Sequence, residues 1–496
     1  MQFSSPLFLF LFLPLVLTVY LVLPRRLHTP FLLAASLFYY AWSARSYVLI
    51  LLGAIPINYG LALLMLRASG QGRAARVRAF LLLTAVVFDL ALIVGSRFHG
   101  LLASVLSLSG LRIDARGVPL GISFFALALI SYAIDIYNRK APPAGNLLTF
   151  ATWVSLFPKI VAGPIVRYRD VAGRIAEPRS SRSDLAWGVE RFIVGLAKKV
   201  LIADTFAVVA DEVFFMPSHN LTAGVAWLGV ICYGLQIYYD FSGYSDMAIG
   251  LGRMFGIEFL ENFNYPYISR SLGEFWRRWH ISLSSWLRDY LFLPLAYATS
   301  RRIKADRWLW IRADLWAYAG ATLTTMLLCG LWHRATWGCA FWGLWHGIFL
   351  TMENTRTGKR FLRRSGSLAR VLLTQWVVLM GWVFFRAASL EHGVSIVRVL
   401  YGVGAGQASE GSAVFVMGYL NRPLVIALCV GLPLCAPIGP SIGRGAIGCL
   451  RGRGETMCWV ESAVPYVRVL VLLVVLIASA LALAAGTYSP FVYQQF

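Results

Sequence analysis

The sequence predicts an all-α, polytopic (multi-pass) membrane protein. Its 496 residues are 58% hydrophobic and only 14% charged, and the mean hydropathy is +0.66. Soluble domains carry about 25% charged residues, so this chain has too little polar surface to cover itself in water. Apolar stretches recur along the chain, and their length is close to the roughly 20 residues that a bilayer-crossing helix needs. These observations exclude a soluble enzyme, a disordered scaffold and a nucleic-acid-binding domain.

Twelve apolar stretches are candidate spans. Because several are short or charged, we expect about 11–12 transmembrane helices together with re-entrant and interfacial pieces. The first stretch lacks a basic leader and a small-residue cleavage site, which favours a retained helix over a signal peptide. The stretches lie near residues 6–24, 30–44, 47–66, 79–96, 118–137, 188–215, 223–252, 316–333, 338–353, 371–386, 424–440 and 466–486.

The distribution of basic residues predicts the orientation. Basic side chains fall in alternate loops, at Arg25 and Arg26, in the segment 67–78, and at Arg139 and Lys140. Such loops collect on the cytoplasmic side, so we expect the N-terminus outside. The same rule accounts for the net charge of +22, which in a soluble protein would suggest nucleic acid.

Seven cysteines are scattered without a Cys-x-x-Cys pair, and this pattern argues against a disulfide framework or a zinc ribbon. We expect no bound metal and no resident cofactor. The chain also lacks the nucleotide-binding and metalloprotease motifs. We treat 1–496 as one membrane domain, with N-terminal helices in 1–148, a motif-bearing core in 149–353 and C-terminal helices in 354–496.

Two stretches interrupt the alternation of helices and loops. Residues 149–184 contain Pro158, Gly163 and Pro164 at apparent membrane depth, followed by five arginines between 167 and 182. Broken backbone at that depth requires a cover of protein or a water-filled cavity. Residues 262–313 interleave Trp, Tyr and Arg, which favours helices at the cytoplasmic interface. Simple membrane anchoring remains an alternative for both stretches.

Two histidines are the sharpest candidates for chemistry. His333 and His346, each preceded by tryptophan, lie 13 residues apart at the end of one apolar stretch and within the next. Ionisable groups inside such stretches are costly and therefore often functional. A neutral imidazole there can act as a general base toward an alcohol that attacks a thioester. The alternative is two histidines bonded to backbone carbonyls and packed among indoles.

His280 is the third candidate, within the string Trp276-Arg277-Arg278-Trp279-His280. A continuous helix would place Trp276, His280 and Leu287 on one face. The arginines Arg277 and Arg278 can hold the phosphate of an acyl carrier, and the tryptophans Trp276 and Trp279 can support that donor site. A role as a headgroup anchor is equally compatible with this pattern.

Three further residues carry weaker signals. Cys329 lies one helical turn before His333, a spacing that fits a thiolate holding an acyl group transiently. Helix packing is the alternative, and we favour it for this residue. Asp240 and Asp246 are carboxylates in an apolar stretch. One of them can orient a histidine or pair with an arginine of the 262–290 region, and a capping or packing role fits either as well.

Several ordered strings resemble the membrane-bound O-acyltransferase (MBOAT) family, in its bacterial alginate O-acetyltransferase (AlgI) type. The resemblance is close over 150–350 and extends to the rest by hydropathy pattern. The strings are Phe157-Pro158-Lys159 through Gly163-Pro164-Ile165, Tyr239-Asp240-Phe241-Ser242-Gly243-Tyr244-Ser245-Asp246, Asn262-Phe263-Asn264-Tyr265-Pro266-Tyr267, Phe275-Trp276-Arg277-Arg278-Trp279-His280, the two Trp-His strings, and Ser489-Pro490-Phe491-Val492-Tyr493.

The resemblance implies a ring of tilted helices in a bacterial inner membrane, with His333 as the essential histidine, His280 toward the cytoplasm and His346 as a further recurrent histidine. It implies O-acetylation of an exported polysaccharide such as alginate from acetyl-CoA or an acyl carrier protein thioester. A separate periplasmic or extracellular acyltransferase would complete the transfer. The family usually has glycine after the essential histidine, where this chain has Arg334.

Other functions remain open at this stage. Within the family, the alternatives are D-alanyl transfer to teichoic acid and O-acetylation of peptidoglycan. From other classes, the chain can be a transporter in which histidines relay protons, or an inactive scaffold that recruits a glycan-modifying partner. The absence of an evident internal repeat and the interfacial block at 262–313 count against a transporter.

Overall fold

The computed structural model describes residues 1–68, 70–97, 121–303, 307–308, 311–403, 413–438, 454–486 and 491. Within these ranges nearly all regular structure is helical, and the remainder is one pair of two-residue antiparallel strands, β1 (Arg307–Trp308) and β2 (Ile311–Arg312). The all-α prediction is therefore confirmed. Cys449, the side chain of Cys458 and most of the C-terminal string fall outside the described residues. The other five cysteines are free thiols.

The α-helices are numbered in chain order. They are α1 (Leu13–Val22), α2 (His28–Ala44), α3 (Val48–Arg67), α4 (Arg73–Arg97), α5 (Ile122–Tyr137), α6 (Leu147–Ser155), α7 (Phe157–Ile160), α8 (Tyr168–Ala176), α9 (Arg182–Ala197), α10 (Asp204–Phe215), α11 (Ala223–Met254), α12 (Leu272–Arg278), α13 (Ile281–Leu287), α14 (Leu293–Arg302), α15 (Ala313–His333), α16 (Trp337–Asn354), α17 (Arg356–Arg364), α18 (Ser367–Arg386), α19 (Leu390–Leu400), α20 (Ala413–Tyr419), α21 (Arg422–Leu434) and α22 (Gly454–Ala484).

Shorter helical segments join some of these helices. In the part of the chain that the structure describes, π-helical turns lie at Phe8–Phe12, Lys198–Ala203 and Arg288–Phe292, and 3₁₀ turns lie at Arg25–Leu27, Arg45–Tyr47, Ser218–Asn220 and Pro266–Ile268. The turn at Lys198–Ala203 joins α9 to α10, so the predicted span 188–215 lies within one continuous helical run.

Helix length and composition support a multi-pass membrane protein. Among the described residues, five helical segments are long and apolar enough to cross a membrane: Arg25–Arg67, Arg73–Ser96, Ala313–His333, Ser367–Arg386 and Ala463–Ala484. Three shorter apolar helices are Phe8–Val22, Ile122–Tyr137 and Arg422–Leu434. Much of the large apolar surface of the last long segment is exposed, as expected of a lipid-facing helix. The expected total of about 11–12 crossings stays a prediction.

The described residues pack as two compact units. One comprises Met1–Phe192 and Tyr244–Glu261, and the other comprises Ile193–Gly243 and Asn262–Phe496. In the first unit, a buried aromatic cluster surrounds Phe157, whose ring centroid lies 5.5 Å from that of Phe12 and 5.7 Å from that of Tyr39. The single-domain interpretation of the sequence stays a prediction.

The predicted interruption around Pro158 is confirmed in the first unit. Helix α6 ends at Ser155, α7 is only four residues long, and the backbone between Val161 and Arg167 is not helical. Every residue from 149 to 168 is buried, so protein covers the broken backbone as the physical argument requires. Lys159 lies in this segment with its ammonium 4.9 Å from the Trp153 ring.

The second unit contains a buried ion cluster. Lys199, in the π turn, places its Nζ 2.6 Å from an oxygen of Asp204 and 2.8 Å from an oxygen of Asp240 on α11. All three side chains are buried. The cluster ties the π turn to α11, because separating either carboxylate from the ammonium would leave a charge buried without its partner.

Candidate active site

Helices α15 and α16 form a hairpin that carries His333 and His346. Helix α15 ends at His333, and α16 begins two residues after Ala335, capped by the Thr336 hydroxyl. The two helices approach to backbone contact at two glycines. A Cβ on Gly330 would lie 2.1 Å from the Cys339 carbonyl oxygen, and a Cβ on Gly343 would lie 2.2 Å from that of Met326. Only glycine fits at these points.

This hairpin places both imidazoles against the indole of Trp342. The ring centroid of Trp342 lies 5.5 Å from that of His333 and 5.2 Å from that of His346. Phe385 of α18 contacts His333 from another side, with ring centroids 5.3 Å apart. Both histidines are buried, with 4% and 0% of their surface exposed. The structure thus brings together the two residues that the sequence singled out first.

Trp276 joins this cluster from α12. Its indole Nε1 donates a hydrogen bond of 3.3 Å to Nδ1 of His346. Helix α12 is held to α16 at a second point, where the Glu353 carboxylate accepts hydrogen bonds from the backbone N–H groups of Leu272 (2.6 Å) and Gly273 (3.1 Å). Gly381 of α18 closes the cluster beside His346.

His280 lies elsewhere, and the expectation that it shares a helix face with Trp276 and Leu287 is wrong. Helix α12 ends at Arg278 and α13 starts at Ile281, with His280 between them in the left-handed region at φ 42°. The Asn262 side-chain oxygen stabilises this break, because it accepts hydrogen bonds from the Ser282 backbone N–H (3.1 Å) and from His280 Nδ1 (3.1 Å).

The protonation of His280 follows from this environment. An amide oxygen only accepts, so Nδ1 of His280 carries the hydrogen. The imidazole is buried against Phe241, with ring centroids 4.6 Å apart, and burial lowers the pKa of His280 to about 3. His280 is therefore neutral at physiological pH.

The other residues of the Trp-Arg-Arg-Trp string separate into two groups. Trp279 is buried next to His280 in the chain and reaches toward the rings around Trp342. Its ring centroid lies 5.0 Å from that of Trp382, which stacks on Trp342 at 5.9 Å. Arg277 is exposed, whereas Arg278 pairs with Glu274 at 2.9 Å. Of the four residues expected to hold a donor, Trp279 thus lies in the interior and Trp276 is half-buried beside His346.

The remaining candidates have defined partners. Asp240 pairs with Lys199, as described above, and Asp246 pairs with Arg191 at 2.7 Å within the first unit. Cys329 is buried on α15, one turn before His333. Arg334 follows the end of α15 in extended backbone and is partly buried. Within the described residues no group of three or more potential ligands is arranged to hold a metal ion.

Three contacts in the structure were not predicted from the sequence. Glu353 and Lys199 are charged side chains within apolar stretches of the sequence. Because a charge in such a stretch is energetically costly, their presence alone indicated that both have partners. Gly381 offered no such signal, because its role depends on a contact with His346, 35 residues away in the chain.

The structure thus shows a multi-pass helical fold with two buried imidazoles, those of His333 and His346, packed against one indole. The sequence profile of the membrane-bound O-acyltransferase family (MBOAT) matches residues 138–389. The chain belongs to this family and is an acyltransferase.

The chain is also similar to individual members of this family. The chain is 36% identical to the probable alginate O-acetylase AlgI of Pseudomonas aeruginosa, with all of both chains covered. It is 32% identical to the peptidoglycan O-acetyltransferase of Helicobacter pylori, over 81% of this chain and 80% of that one. It is 28% identical to the teichoic acid D-alanyltransferase of Bacillus subtilis, over 55% of this chain and 70% of that one.

Proposed function

We propose that this protein transfers an acetyl group from a cytoplasmic thioester, across the bacterial inner membrane, for O-acetylation of an exported polysaccharide such as alginate. The observation that carries the proposal is the pair of buried imidazoles, His333 and His346, on the indole of Trp342. The full-length similarity to the probable alginate O-acetylase AlgI of Pseudomonas aeruginosa supports this acyl group and acceptor class.

The reaction assigns His333 the role of general base. A neutral imidazole accepts the proton of the acceptor hydroxyl as its oxygen attacks the thioester carbonyl carbon. The C–O ester bond forms, the C–S bond breaks, and the proton passes from His333 to the leaving thiolate. Burial among the aromatic rings of Trp342 and Phe385 excludes water, which would otherwise hydrolyse the thioester.

The donor is proposed to arrive from the cytoplasm as acetyl-CoA or as an acyl carrier protein thioester. Basic loops of membrane proteins collect on the cytoplasmic side, where they would attract an anionic donor. Helix α17 adds five further basic side chains between Arg356 and Arg364. Exposed Arg277, with Arg278 beside it, is placed to attract the phosphate that both donors carry. We place the N-terminus outside on the same rule, and we assign His280 to the donor side.

The acceptor side is proposed to involve a second protein. A membrane enzyme delivers the acyl group at the outer face, whereas the polymer is modified beyond it. A periplasmic or extracellular acyltransferase that takes the acetyl group from the ester formed at His333 would complete the transfer to the polymer.

The test is the acetyl content of the exported polysaccharide in a deletion strain complemented with wild type or with His333→Ala. We expect wild type alone to restore acetylation when both proteins reach the membrane at equal levels. Restoration by both proteins would remove His333 as the base. His280→Ala is expected to weaken acetylation by impairing use of the donor.

Peptidoglycan is the second candidate acceptor. The relative in Helicobacter pylori that covers four-fifths of the chain favours it. An unchanged polysaccharide together with reduced O-acetyl content of peptidoglycan in the deletion strain would replace the first acceptor by the second. Loss of D-alanine esters, with acetyl esters unchanged, would point instead to D-alanyl transfer.

A further inference from the structure

The hydrogen bond between Trp276 and His346 determines where His346 carries its proton. An indole N–H can only donate, so Nδ1 of His346 must accept with its lone pair. In a neutral imidazole the hydrogen then resides on Nε2. A second proton on Nδ1 would face the indole N–H directly, and Trp276 therefore disfavours the charged form as well.

The Nε2–H group that results is a buried donor. His346 has 0% of its surface exposed, and among the described residues its Nε2 has no hydrogen-bond partner. Buried polar groups are nearly always paired, so an orphan in a catalytic cluster indicates a ligand that supplies the missing acceptor.

Gly381 keeps this donor uncovered. A Cβ at position 381 would lie 2.7 Å from Nε2 of His346 and 3.2 Å from Cδ1 of Trp342. Any side chain at that position would cover Nε2 or displace the imidazole. The chain thus has no side chain at position 381, beside the hydrogen-bonding edge of His346, and that imidazole packs on the indole that also contacts His333.

Glu353 fixes the position of α12 relative to α16, and the hydrogen bond between Trp276 and His346 depends on that position. Its carboxylate binds the first two backbone N–H groups of α12, at Leu272 and Gly273. Glu353 lies seven residues after His346 on α16, about two helical turns away on a similar face. Helix α12 is consequently held to α16 at two points, at its N-terminus by Glu353 and one turn further on by the side chain of Trp276.

We propose that His346 donates its Nε2–H to the carbonyl oxygen of the acyl thioester, and that Trp276 and Glu353 are positioning residues for this donor. As the acceptor oxygen attacks, the carbonyl oxygen gains negative charge, which the Nε2–H stabilises. No proton leaves His346. His333 alone takes the hydroxyl proton and returns it to the departing thiolate. This inference rests on the proposed function.

The experiment compares His346→Gln with His346→Ala in the complemented deletion strain, by the initial rate at which labelled acetate enters the exported polysaccharide. A glutamine amide can place an N–H donor near the position of Nε2, but it cannot act as a base. We expect a loss of about tenfold for glutamine and of about 10²–10³-fold for alanine, the range for removal of one such donor. Equal losses in both variants, at equal membrane levels, would overturn the proposal.

His333→Gln is the matched control at the other histidine. It is expected to be inactive, because a base cannot be replaced by an amide. If His333→Gln keeps the wild-type rate, the proposed function of His333 fails. If His333→Gln is inactive and His346→Gln is as inactive as His346→Ala, only the present inference fails.

A spectroscopic measurement tests the positioning residues separately from activity. In detergent-solubilised full-length protein with ¹⁵N-labelled histidine, seven imidazoles contribute signals, and the His346→Gln difference assigns those of His346. We expect a pyridine-type signal for Nδ1 and a pyrrole-type signal for Nε2. Trp276→Phe and Glu353→Ala are expected to shift both signals toward a tautomer mixture, while Glu353→Gln, which retains an acceptor oxygen, keeps most of the pattern. A hydrogen on Nδ1 in the wild type would overturn the proposal.

Discussion

Replacing Gly330 by alanine tests how closely the α15–α16 hairpin controls the reaction. The added Cβ would lie 2.1 Å from the Cys339 carbonyl oxygen and 3.0 Å from its carbon. Both contacts are with backbone, which cannot rotate away. The helices must therefore separate by about 1 Å for the methyl group to reach ordinary van der Waals distance.

This separation affects both the stability of the fold and the rate of the reaction. Overpacking of a well-packed core costs about 1–3 kcal/mol of stability. A displacement of 1 Å between His333 and His346 can cost about 10²-fold in rate, because the groups proposed to react no longer align. In free energy the two losses are similar, since 10²-fold in rate corresponds to about 2.7 kcal/mol. We nevertheless expect Gly330→Ala to insert into the membrane and stay mostly folded, because the stability of a native protein is about 5–15 kcal/mol, while its rate falls to about one hundredth.

The assay is the initial rate of acetyl labelling, paired with thermal unfolding of the detergent-solubilised protein. Gly320→Ala is the matched control on the same helix, since a Cβ there meets nothing within 4 Å. We expect it to be as active as wild type and slightly more stable, because alanine favours helix over glycine by roughly 0.5–1 kcal/mol. Equal activity of Gly330→Ala and Gly320→Ala would refute the reasoning.

Three further predictions concern other parts of the chain. Lys199→Met leaves two buried carboxylates without their cation and should lower the stability in detergent by about 3–5 kcal/mol; a thermal unfolding midpoint equal to that of wild type would contradict this. Cys329→Ser should acetylate at nearly the wild-type rate, because the thiol is buried in helix packing; an inactive variant would revive a covalent thioester route. For His280, the folded-state pKa of about 3 lies below the ordinary value of 6.5, so only the unfolded chain takes up the proton as the pH falls between these values. The free energy of unfolding should therefore fall progressively below pH 6.5. In unfolding measured against pH, His280→Gln should show a smaller acid-induced loss of stability than wild type.

Periodicity and composition were sufficient for the helical membrane fold, and they singled out two histidines that the structure brings together, while the role of these histidines stays a prediction. His333 and His346 stand out because imidazoles in apolar stretches are costly. Their meeting at Trp342 also follows from local chain geometry, since a three-residue connection returns α16 along α15.

Contacts between distant segments could not be read in the same way. The helix expected through His280 breaks there because Asn262, 18 residues earlier, supplies hydrogen bonds that replace those of a continuous helix. The partners of Asp240 and Asp246 are 41 and 55 residues away, at Lys199 and Arg191. Such pairings depend on tertiary packing, which no local pattern encodes.

The glycine contacts of the hairpin also bear on how the enzyme responds to its lipid. Helices that touch through side chains can slide or rotate when bilayer thickness changes, whereas α15 and α16 are interlocked through backbone at Gly330 and Gly343. Hydrophobic mismatch must then be met by tilting the hairpin as one body. We therefore expect the spacing of its two histidines, and with it the proposed reaction, to be insensitive to the acyl-chain length of the surrounding lipid.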